Sequence, residues 1–205
     1  MQMTNRRIAV LISGRGSNLQ ALIDAVAGGR LNATIAIVIS NRADAQGLAR
    51  AAAAGIPAVT LPHRDFATRE AFETALVGEL RRRDVALVCL AGFMRLLGPT
   101  FLAAFRDRTL NVHPSLLPAF PGVDAQRQAI EHGVKVAGAT VHLVTGELDG
   151  GPIVAQGAVP VLDGDTEDSL AARILEVEHR IYPEAVASVL DGGWTIQGRR
   201  YRKLP

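Results

Sequence analysis

The strongest chemical signal in the sequence is an asparagine and a histidine two residues apart, in the segment Asn111-Val112-His113-Pro114. Residues two apart on a strand project to the same side, so Asn111 and His113 would face one cleft together. An asparagine amide can donate a hydrogen bond to a carbonyl oxygen that gains negative charge, and a histidine can move a proton near neutral pH. The segment indicates chemistry at a carbonyl group. The alternative is a core Asn and His satisfied by backbone groups.

A carboxylate that would support His113 lies in the segment Glu147-Leu148-Asp149-Gly150-Gly151. Asp149 would orient the imidazole and stabilise its charged form if the fold brings the two side chains together. The alternative is an ordinary turn aspartate ahead of paired glycines. His142, on an expected strand, could support the same site, but a core or surface position is equally open.

The first loop, Ser13-Gly14-Arg15-Gly16-Ser17-Asn18, lies between an expected strand and an expected helix. Its glycines let the backbone approach a ligand, and free amides at the helix start favour an anion such as phosphate. The loop lacks the third glycine of a dinucleotide fingerprint and the Lys-Ser/Thr ending of a P-loop. A phosphate site and a tight turn with a Ser or Asn cap are therefore both open, and a dinucleotide is disfavoured.

Other kinds of catalytic site are poorly supported. The five histidines are scattered without paired metal-ligand spacing, so we expect no metal. Ser115 lacks the G-x-S-x-G context of a serine nucleophile. Cys89, the only cysteine, lies in an apolar run and is predicted to be a core residue.

The elements that must position these residues alternate regularly in the first half of the chain. Apolar runs predict buried parallel strands at 7–13, 34–40, 58–61 and 85–91. Amphipathic segments between them predict helices at 18–27, 45–54 and 69–83. In the second half we expect strands at 109–113, 137–144 and 153–161, a helix at 125–132, and a long helix from residue 166 that Pro183 kinks or splits. The fold class is α/β: one domain with a doubly wound, mostly parallel twisted sheet and helices on both faces.

The composition excludes several classes of protein. A chain of 205 residues that is 48% hydrophobic and 20% charged is typical of a folded α/β domain. It has no apolar run of about 20 residues and no signal-peptide pattern, and a lone cysteine favours a reducing cytoplasm. With a net charge of +2 and 4% aromatic residues, we expect neither a nucleic-acid nor a membrane partner.

Six segments together resemble the phosphoribosylglycinamide formyltransferase family of purine biosynthesis. In chain order they are SGRGSN, SNRADAQGL, AGFMRLL, NVHPSLLPAFPG, ATVHLVTGELDGG and EVEHRIYP. HPSLLP and the spaced aspartate also occur in other formyl-transferring families, whereas the GSN loop is more specific. Methionyl-tRNA formyltransferase has an additional C-terminal domain and formyltetrahydrofolate deformylase an N-terminal regulatory domain, and we expect neither here. The resemblance implies a Rossmann-like formyltransferase fold over residues 1–205, with a phosphate-binding half (about 1–100) and a folate-binding, catalytic half (about 101–205).

The resemblance also implies a reaction, in which the amine of glycinamide ribonucleotide attacks the formyl carbon of 10-formyltetrahydrofolate without a metal. Asn111 and His113 would stabilise the tetrahedral oxyanion, and Asp149 would support His113. The implied ribonucleotide-binding residues are Gly16, Ser17, Asn18 and Glu178. The implied folate-binding residues are Arg69, Met94, Arg95, Leu96, Leu97, Asn111, Thr145, Gly146, Glu147, Leu148 and Asp149.

Two departures from the family pattern fall in the loop after His113. Many bacterial members carry a Lys at the position of Ala119 and a His at that of Asp124. Both positions lie beside the expected folate pocket and outside the catalytic residues. A deformylase-like hydrolase and a non-catalytic module that binds a nucleotide phosphate are the alternative functions, and we expect a monomer or a homodimer.

Overall fold

The computed structural model describes residues 4–204, and nine strands form one sheet within them. They are β1 Arg7–Ile12, β2 Thr34–Ser40, β3 Ala58–Thr60, β4 Leu87–Leu90, β5 Thr109–His113, β6 Val136–Leu143, β7 Ile153–Pro160, β8 Trp194–Gln197 and β9 Arg200–Lys203. Their order across the sheet is β3-β2-β1-β4-β5-β6-β7-β9-β8. Strands β1 to β5 are parallel, whereas β6 and β7 continue the sheet in antiparallel pairs and β8 and β9 form an antiparallel hairpin. The predicted α/β class with a mostly parallel sheet is confirmed.

Helices cover both faces of the sheet. They are α1 Ser17–Ala27, α2 Gly47–Ala53, α3 Arg69–Arg82, α4 Pro99–Ala104, α5 Ala125–Glu131 and α6 Glu167–Leu190, with a single 3-10 turn at His63–Asp65. Thr68 caps α3 by accepting the Ala71 N–H, and Thr166 and Ser169 form a capping box at the start of α6. Across residues 4–204 we find no helix long and apolar enough to cross a membrane.

The continuous apolar run of β1 is explained by a core on each side of the strand. Ile8, Val10 and Ile12 pack into one core with residues of α1 and α6. Ala9 and Leu11 point the other way, into a second core with residues of α3 and α4. Because side chains alternate along a strand, a run with no polar residue is needed when both faces are covered.

The order of the strands creates a switch point between β1 and β4. From β1 the chain moves outward through β2 to β3, and α3 then returns it to β4 on the opposite side of β1. The carboxyl ends of β1, β4 and β5 therefore lie at one edge of the sheet, where open α/β folds bind their ligands. The loops carrying the GSN, FMRLL and HPS sequences all leave the sheet at this edge.

Three features differ from the sequence-based expectation. Pro183 lies inside α6, which continues to Leu190, so the helix is not split there, and a kink at Pro183 stays a prediction. Proline removes one backbone donor, and the buried side of α6 around Tyr182 and Val186 holds the helix together despite that loss. Helix α4 was not predicted because six residues are too short to show a helical period, and the β8–β9 hairpin was not predicted because its strands WTIQ and RYRK contain no apolar run.

The Tyr182 hydroxyl provides a test of how α6 is fixed to the sheet. It is fully buried, and its single O–H is shared between the carbonyl oxygens of Leu90 (2.9 Å) and Leu110 (3.3 Å), on the neighbouring strands β4 and β5. We expect Tyr182→Phe to lower the free energy of unfolding by about 1 kcal/mol, measured by urea denaturation. Tyr201→Phe is the matched control, because that hydroxyl is half-buried near Ser188 and its loss should cost less. Equal stability of Tyr182→Phe and the wild type would contradict the assignment.

Candidate active site

Strand β5 ends in the two residues singled out first, and β6 supplies a third. In the antiparallel pairing of the two strands, Asn111 lies opposite His142 and His113 opposite Thr140. The Asn111 Nδ2 atom is 3.2 Å from His142 Nε2. The Nδ1–H of His142 donates to the Leu143 carbonyl (3.1 Å), so a neutral His142 ring accepts from the Asn111 amide at Nε2. His142 therefore fixes the direction of the Asn111 amide.

Asp149 is brought next to His113 by the loop between β6 and β7. Its Oδ2 atom lies 3.5 Å from His113 Nδ1, and its Oδ1 atom lies 3.5 Å from His142 Nε2. The Gly122 N–H donates to Oδ2 at 2.8 Å. The carboxylate thus joins two imidazoles and one backbone amide, from three separate segments of the chain. The sequence indicated a contact between His113 and Asp149 only on the condition that the fold brings the two side chains together, and the structure meets that condition.

The environment of Asp149 acts on its pKa in two opposing ways. Burial, the largest influence, acts to raise it. The neighbouring imidazole of His142, the Gly122 N–H and the imidazole of His113 together outweigh burial, and the pKa of Asp149 is lowered. The carboxylate is therefore ionised at neutral pH, although its side chain is only 9% exposed.

The Nε2 atom of His113 already has a hydrogen-bond partner within the protein. It lies 2.8 Å from the Phe120 carbonyl oxygen, which can only accept, so Nε2 carries a proton and donates it there. The Nδ1 atom is left to face Asp149. Its 3.5 Å separation from Asp149 Oδ2 is longer than a hydrogen bond, so Nδ1 keeps capacity for a reacting group.

The backbone on both sides of this contact adopts unusual conformations. Phe120 and Asp149 have φ values of 52° and 50°, in the left-handed region that residues other than glycine rarely adopt. A Cβ on Gly151 would lie 1.7 Å from the Leu143 carbonyl oxygen, so only glycine fits there. Such backbone strain accumulates at functional sites, where the surrounding structure over-determines it.

The loop after β1 brings the predicted ribonucleotide-binding residues together. Gly16 has a φ of 72°, and a Cβ on it would lie 2.7 Å from Gly47 Cα of α2. The Asn18 Nδ2 donates to Glu178 Oε2 on α6 at 2.7 Å. The Asn18 Oδ1 atom is buried and has no partner among the described residues. Ser17 begins α1, whose first turn holds no acidic side chain, so backbone amides are available for an anion.

Burial raises the pKa of Glu178, and the hydrogen bond from the Asn18 amide opposes that effect without cancelling it. The carboxyl of Glu178 thus differs from that of Asp149, which has imidazole partners. It is a buried acceptor with one neutral donor, next to an unpartnered amide oxygen. That arrangement suits a ligand carrying hydroxyl groups.

Most of the predicted folate-binding residues occupy two exposed loops, whereas Asn111 lies on β5 and Arg69 begins α3. Met94 and Leu96 are 67% and 66% exposed after β4, and Arg95 is also exposed, but Leu97 is buried against α3 and α4, so only its backbone can meet a ligand. Arg69, half-exposed at the start of α3, donates from Nη2 to the Leu96 carbonyl (3.0 Å) and pairs with Glu73 (2.9 Å). In the other loop Asp149 is enclosed, and the remaining predicted residues are exposed, namely Thr145, Gly146, Glu147 and Leu148.

Comparison with known proteins identifies the family to which this chain belongs. Residues 6–186 match the formyl transferase family. The chain is a member of that family. It is 49% identical to the phosphoribosylglycinamide formyltransferase of Escherichia coli strain K12 over 185 residues, which cover 90% of this chain and 87% of the relative.

A solved structure and a longer relative extend the comparison. The crystal structure of glycinamide ribonucleotide transformylase 1 from Symbiobacterium toebii superposes with a TM-score of 0.96 at 56% identity, over 98% of this chain and 95% of that one. The trifunctional purine biosynthetic protein adenosine-3 of Drosophila melanogaster is 47% identical over 94% of this chain, which spans 14% of that protein's length. The resemblance to the phosphoribosylglycinamide formyltransferase family is confirmed.

Within this formyl transferase, the two departures from the family pattern lie at the surface. Ala119 is exposed, and its carbonyl accepts from the Ser115 hydroxyl at 2.6 Å. Asp124 is exposed just before α5 and pairs with Arg127. Neither side chain is among the partners of His113 or Asp149 within residues 4–204.

Sequence reasoning left His142 open, and the structure places it in the site. Its role depends on the β5–β6 register, which puts it opposite Asn111 and cannot be read from either strand alone. In residues 4–204 no group of three or more His, Cys, Asp or Glu side chains is arranged to hold a metal ion, and the expectation of a metal-free site stays a prediction.

The lowered pKa of Asp149 predicts a pH-dependent contribution to stability. A carboxyl whose pKa is lower in the folded state stabilises the fold above its ordinary value of 3.8, and this stabilisation is lost as pH falls through the lowered pKa. We expect the difference in Tm between wild type and Asp149→Asn to be largest near neutral pH and to shrink towards about pH 3.

Thermal denaturation across that pH range measures the difference. Asp163→Asn is the control, because Asp163 is exposed and pairs only with Lys135 in the described structure. Its Tm difference from wild type should stay small at every pH. A constant Tm difference for Asp149→Asn would contradict the pKa assignment.

Proposed function

We propose that this chain transfers the formyl group of 10-formyltetrahydrofolate to the amine of glycinamide ribonucleotide. The observation that carries the proposal is the 3.5 Å contact of His113 with Asp149, at the sheet edge where the GSN loop also ends. The names of the E. coli and S. toebii relatives support the choice of substrates. This edge of the sheet would hold an anionic nucleotide at the loop after β1 and an acyl donor at the end of β5.

The proposed chemistry is direct acyl transfer. The amine nitrogen attacks the formyl carbon, and the carbonyl electron pair moves onto oxygen to give a tetrahedral intermediate. The bond between the formyl carbon and N10 of the folate then breaks, the carbonyl reforms, and one proton passes from the attacking nitrogen to N10. Atoms and charge balance without a covalent enzyme intermediate.

Asn111 and His113 would act on the oxygen of that intermediate. One amide hydrogen of Asn111 is held by His142, which leaves the second to donate to the developing oxyanion. His113 would use Nδ1, since its Nε2–H is committed to the Phe120 carbonyl. Asp149 would balance the charge of the ring while His113 helps to move the proton from the amine towards N10.

The ribonucleotide would lie along the loop after β1. Backbone amides at Gly16, Ser17 and Asn18 would hold its phosphate, aided by the positive end of α1. Glu178 and the unpartnered Asn18 Oδ1 would accept from the ribose hydroxyls. Recognition of the ribose hydroxyls would explain why the Glu178 carboxylate and the Asn18 amide are buried together without a charged partner.

The folate would occupy the space between the two exposed loops. Met94, Leu96 and Leu148 offer exposed apolar surface for its ring system. Arg69 would face the acidic tail while keeping its bonds to Glu73 and Leu96. The backbones of Arg95 and Leu97, and of the loop from Thr145 to Asp149, would complete the pocket. The division into two functional halves, a cytoplasmic location and a monomeric or homodimeric state stay predictions.

The direct test is turnover of purified protein supplied with both substrates. We expect tetrahydrofolate and formylated ribonucleotide to form in equal amounts, followed by absorbance and by mass spectrometry. Release of formate with water as the only acceptor would favour a deformylase-like hydrolase. Ribonucleotide binding without any turnover would favour a non-catalytic binding module.

His113→Ala should separate catalysis from binding. We expect kcat to fall by about 10²- to 10⁴-fold, because the variant loses the proton-transfer group, while ribonucleotide affinity by calorimetry stays the same. His132→Ala, at an exposed histidine at the end of α5, should keep near wild-type kcat. A kcat for His113→Ala within about threefold of wild type would contradict the role of His113.

The raised pKa of Glu178 predicts a pH-dependent affinity for the ribonucleotide. Its carboxyl takes up a proton at a higher pH than an ordinary glutamate and then accepts fewer hydrogen bonds from hydroxyl groups. We expect Glu178→Gln to raise KM for the ribonucleotide by about tenfold at neutral pH. The ratio of the two KM values should fall as pH is lowered towards the raised pKa. Glu176→Gln, exposed on the same helix, is the control, and a pH-independent ratio would contradict the role of Glu178.

A further inference from the structure

The Ser13 side chain lies between the two halves of the proposed site and takes no part in the chemistry above. We propose that Ser13 is a positioning residue that sets the spacing between the ribonucleotide and the folate. The nucleotide loop is defined here as residues 13–18 and the folate segment as residues 92–98. The proposal rests on the proposed function, because it concerns how the two substrates are placed relative to each other.

Three hydrogen bonds join Ser13 to its surroundings. Its backbone N–H donates to the Gly92 carbonyl at 3.1 Å. Its Oγ accepts from the Met94 N–H at 2.8 Å, and its hydroxyl hydrogen goes to Asn41 Oδ1 at 2.6 Å. Ser13 is 6% exposed, so water does not readily replace these partners. The first residue of the nucleotide loop is therefore bonded to two positions of the folate segment.

The direction of the Ser13 hydroxyl is determined by its partners. The Met94 N–H can only donate and the Asn41 Oδ1 can only accept, so the hydroxyl has one arrangement that satisfies both. Asn41 is itself buried at the end of β2, and its Nδ2 lies 3.4 Å from His63 Nδ1. The chain of polar groups runs from Met94 through Ser13 and Asn41 to His63. A hydroxyl fixed in this way positions its neighbours more strictly than an exposed serine would.

The folate segment depends on such side chains, because it contains no helix or strand. Phe93 and Leu97 anchor it in the second core, whereas Met94 and Leu96 are largely exposed. Polar contacts fix its backbone around these anchors: Ser13 at the Met94 amide, Arg69 at the Leu96 carbonyl, and Glu73 at the Gly98 amide (2.5 Å). Of these three side chains, only Ser13 belongs to the nucleotide loop. Ser13 can therefore relate the position of one substrate to that of the other.

The consequence concerns the approach of the amine to the formyl carbon. Reacting atoms must be held about 3–3.5 Å apart for efficient transfer, so a shift of the folate segment relative to the nucleotide loop lowers the rate. Without the Ser13 oxygen the Met94 N–H loses its acceptor while the backbone bond to Gly92 remains. The segment would then be displaced or more mobile at Met94, with the ribonucleotide loop intact.

Ser13→Ala tests this directly, with Ser40→Ala as the matched control. Ser40 ends β2 in register with Ile12 and is fully buried, and its hydroxyl bonds only to the Arg42 backbone in the described structure. We expect Ser13→Ala to raise KM for the folate about fivefold, with the binary affinity for the ribonucleotide unchanged. Ser40→Ala should lose a comparable amount of stability without changing either value. Ser13→Cys keeps the size of the side chain but accepts weakly, and should shift KM in the same direction if the alanine variant folds poorly.

Amide hydrogen exchange at Met94, measured without substrates, provides the second readout. We expect exchange at Met94 to be at least about tenfold faster in Ser13→Ala than in wild type, and unchanged in Ser40→Ala. Unchanged exchange, or faster exchange with an unchanged folate KM, would overturn the proposal. A wild-type protein without formyl transfer would refute the proposed function and this inference with it. The exchange data would then still show whether Ser13 holds the segment.

Discussion

A buried carboxylate needs ionic or hydrogen-bond partners, and the groups that serve as partners of Asp149 determine how this site is arranged. Removing a charge from water costs several kcal/mol unless it is paired or hydrogen-bonded. The partners of Asp149 come from three segments: His113 at the end of β5, His142 on β6, and the Gly122 amide in the loop after β5. The β6–β7 loop must therefore fold over the end of β5, and the left-handed backbone at Asp149 is the local cost of reaching that position.

The sheet supplies the second constraint, because it decides which loops can meet. β4 lies between β1 and β5, so the loops that leave these three strands are neighbours at one edge. The nucleotide loop offers mainly backbone amides, the end of β5 offers the polar side chains of Asn111 and His113, and the folate segment between them offers exposed apolar surface. The division of chemistry among the loops thus follows the strand order. Parallel strands make this possible, since all their carboxyl ends point to the same edge.

The sequence predicted the parts of the structure that depend on local pattern. The apolar runs located β1, β2, β3 and β4, and the two-residue spacing placed Asn111 and His113 on one side of a strand. The contact between His113 and Asp149 could only be stated as a condition, because it depends on how a loop 36 residues further along the chain folds back. His142 needed the register of β5 against β6, and the bond from Met94 to Ser13 needed the order of β1 and β4. Each of these is a non-local fact that no periodicity encodes.

The two buried carboxyl groups near the sheet edge show how the environment assigns different tasks to the same chemical group. Asp149 is surrounded by groups that favour its charged form, so its pKa is lowered and it stays ionised beside His113. Glu178 has only the Asn18 amide as a partner, and burial raises its pKa. Asp149 already has several partners within the protein, whereas under the proposed function Glu178 would gain further hydrogen-bond donors from the ribonucleotide. Under that proposal, the opposite pKa shifts would separate a group that supports catalysis from a group that recognises a substrate.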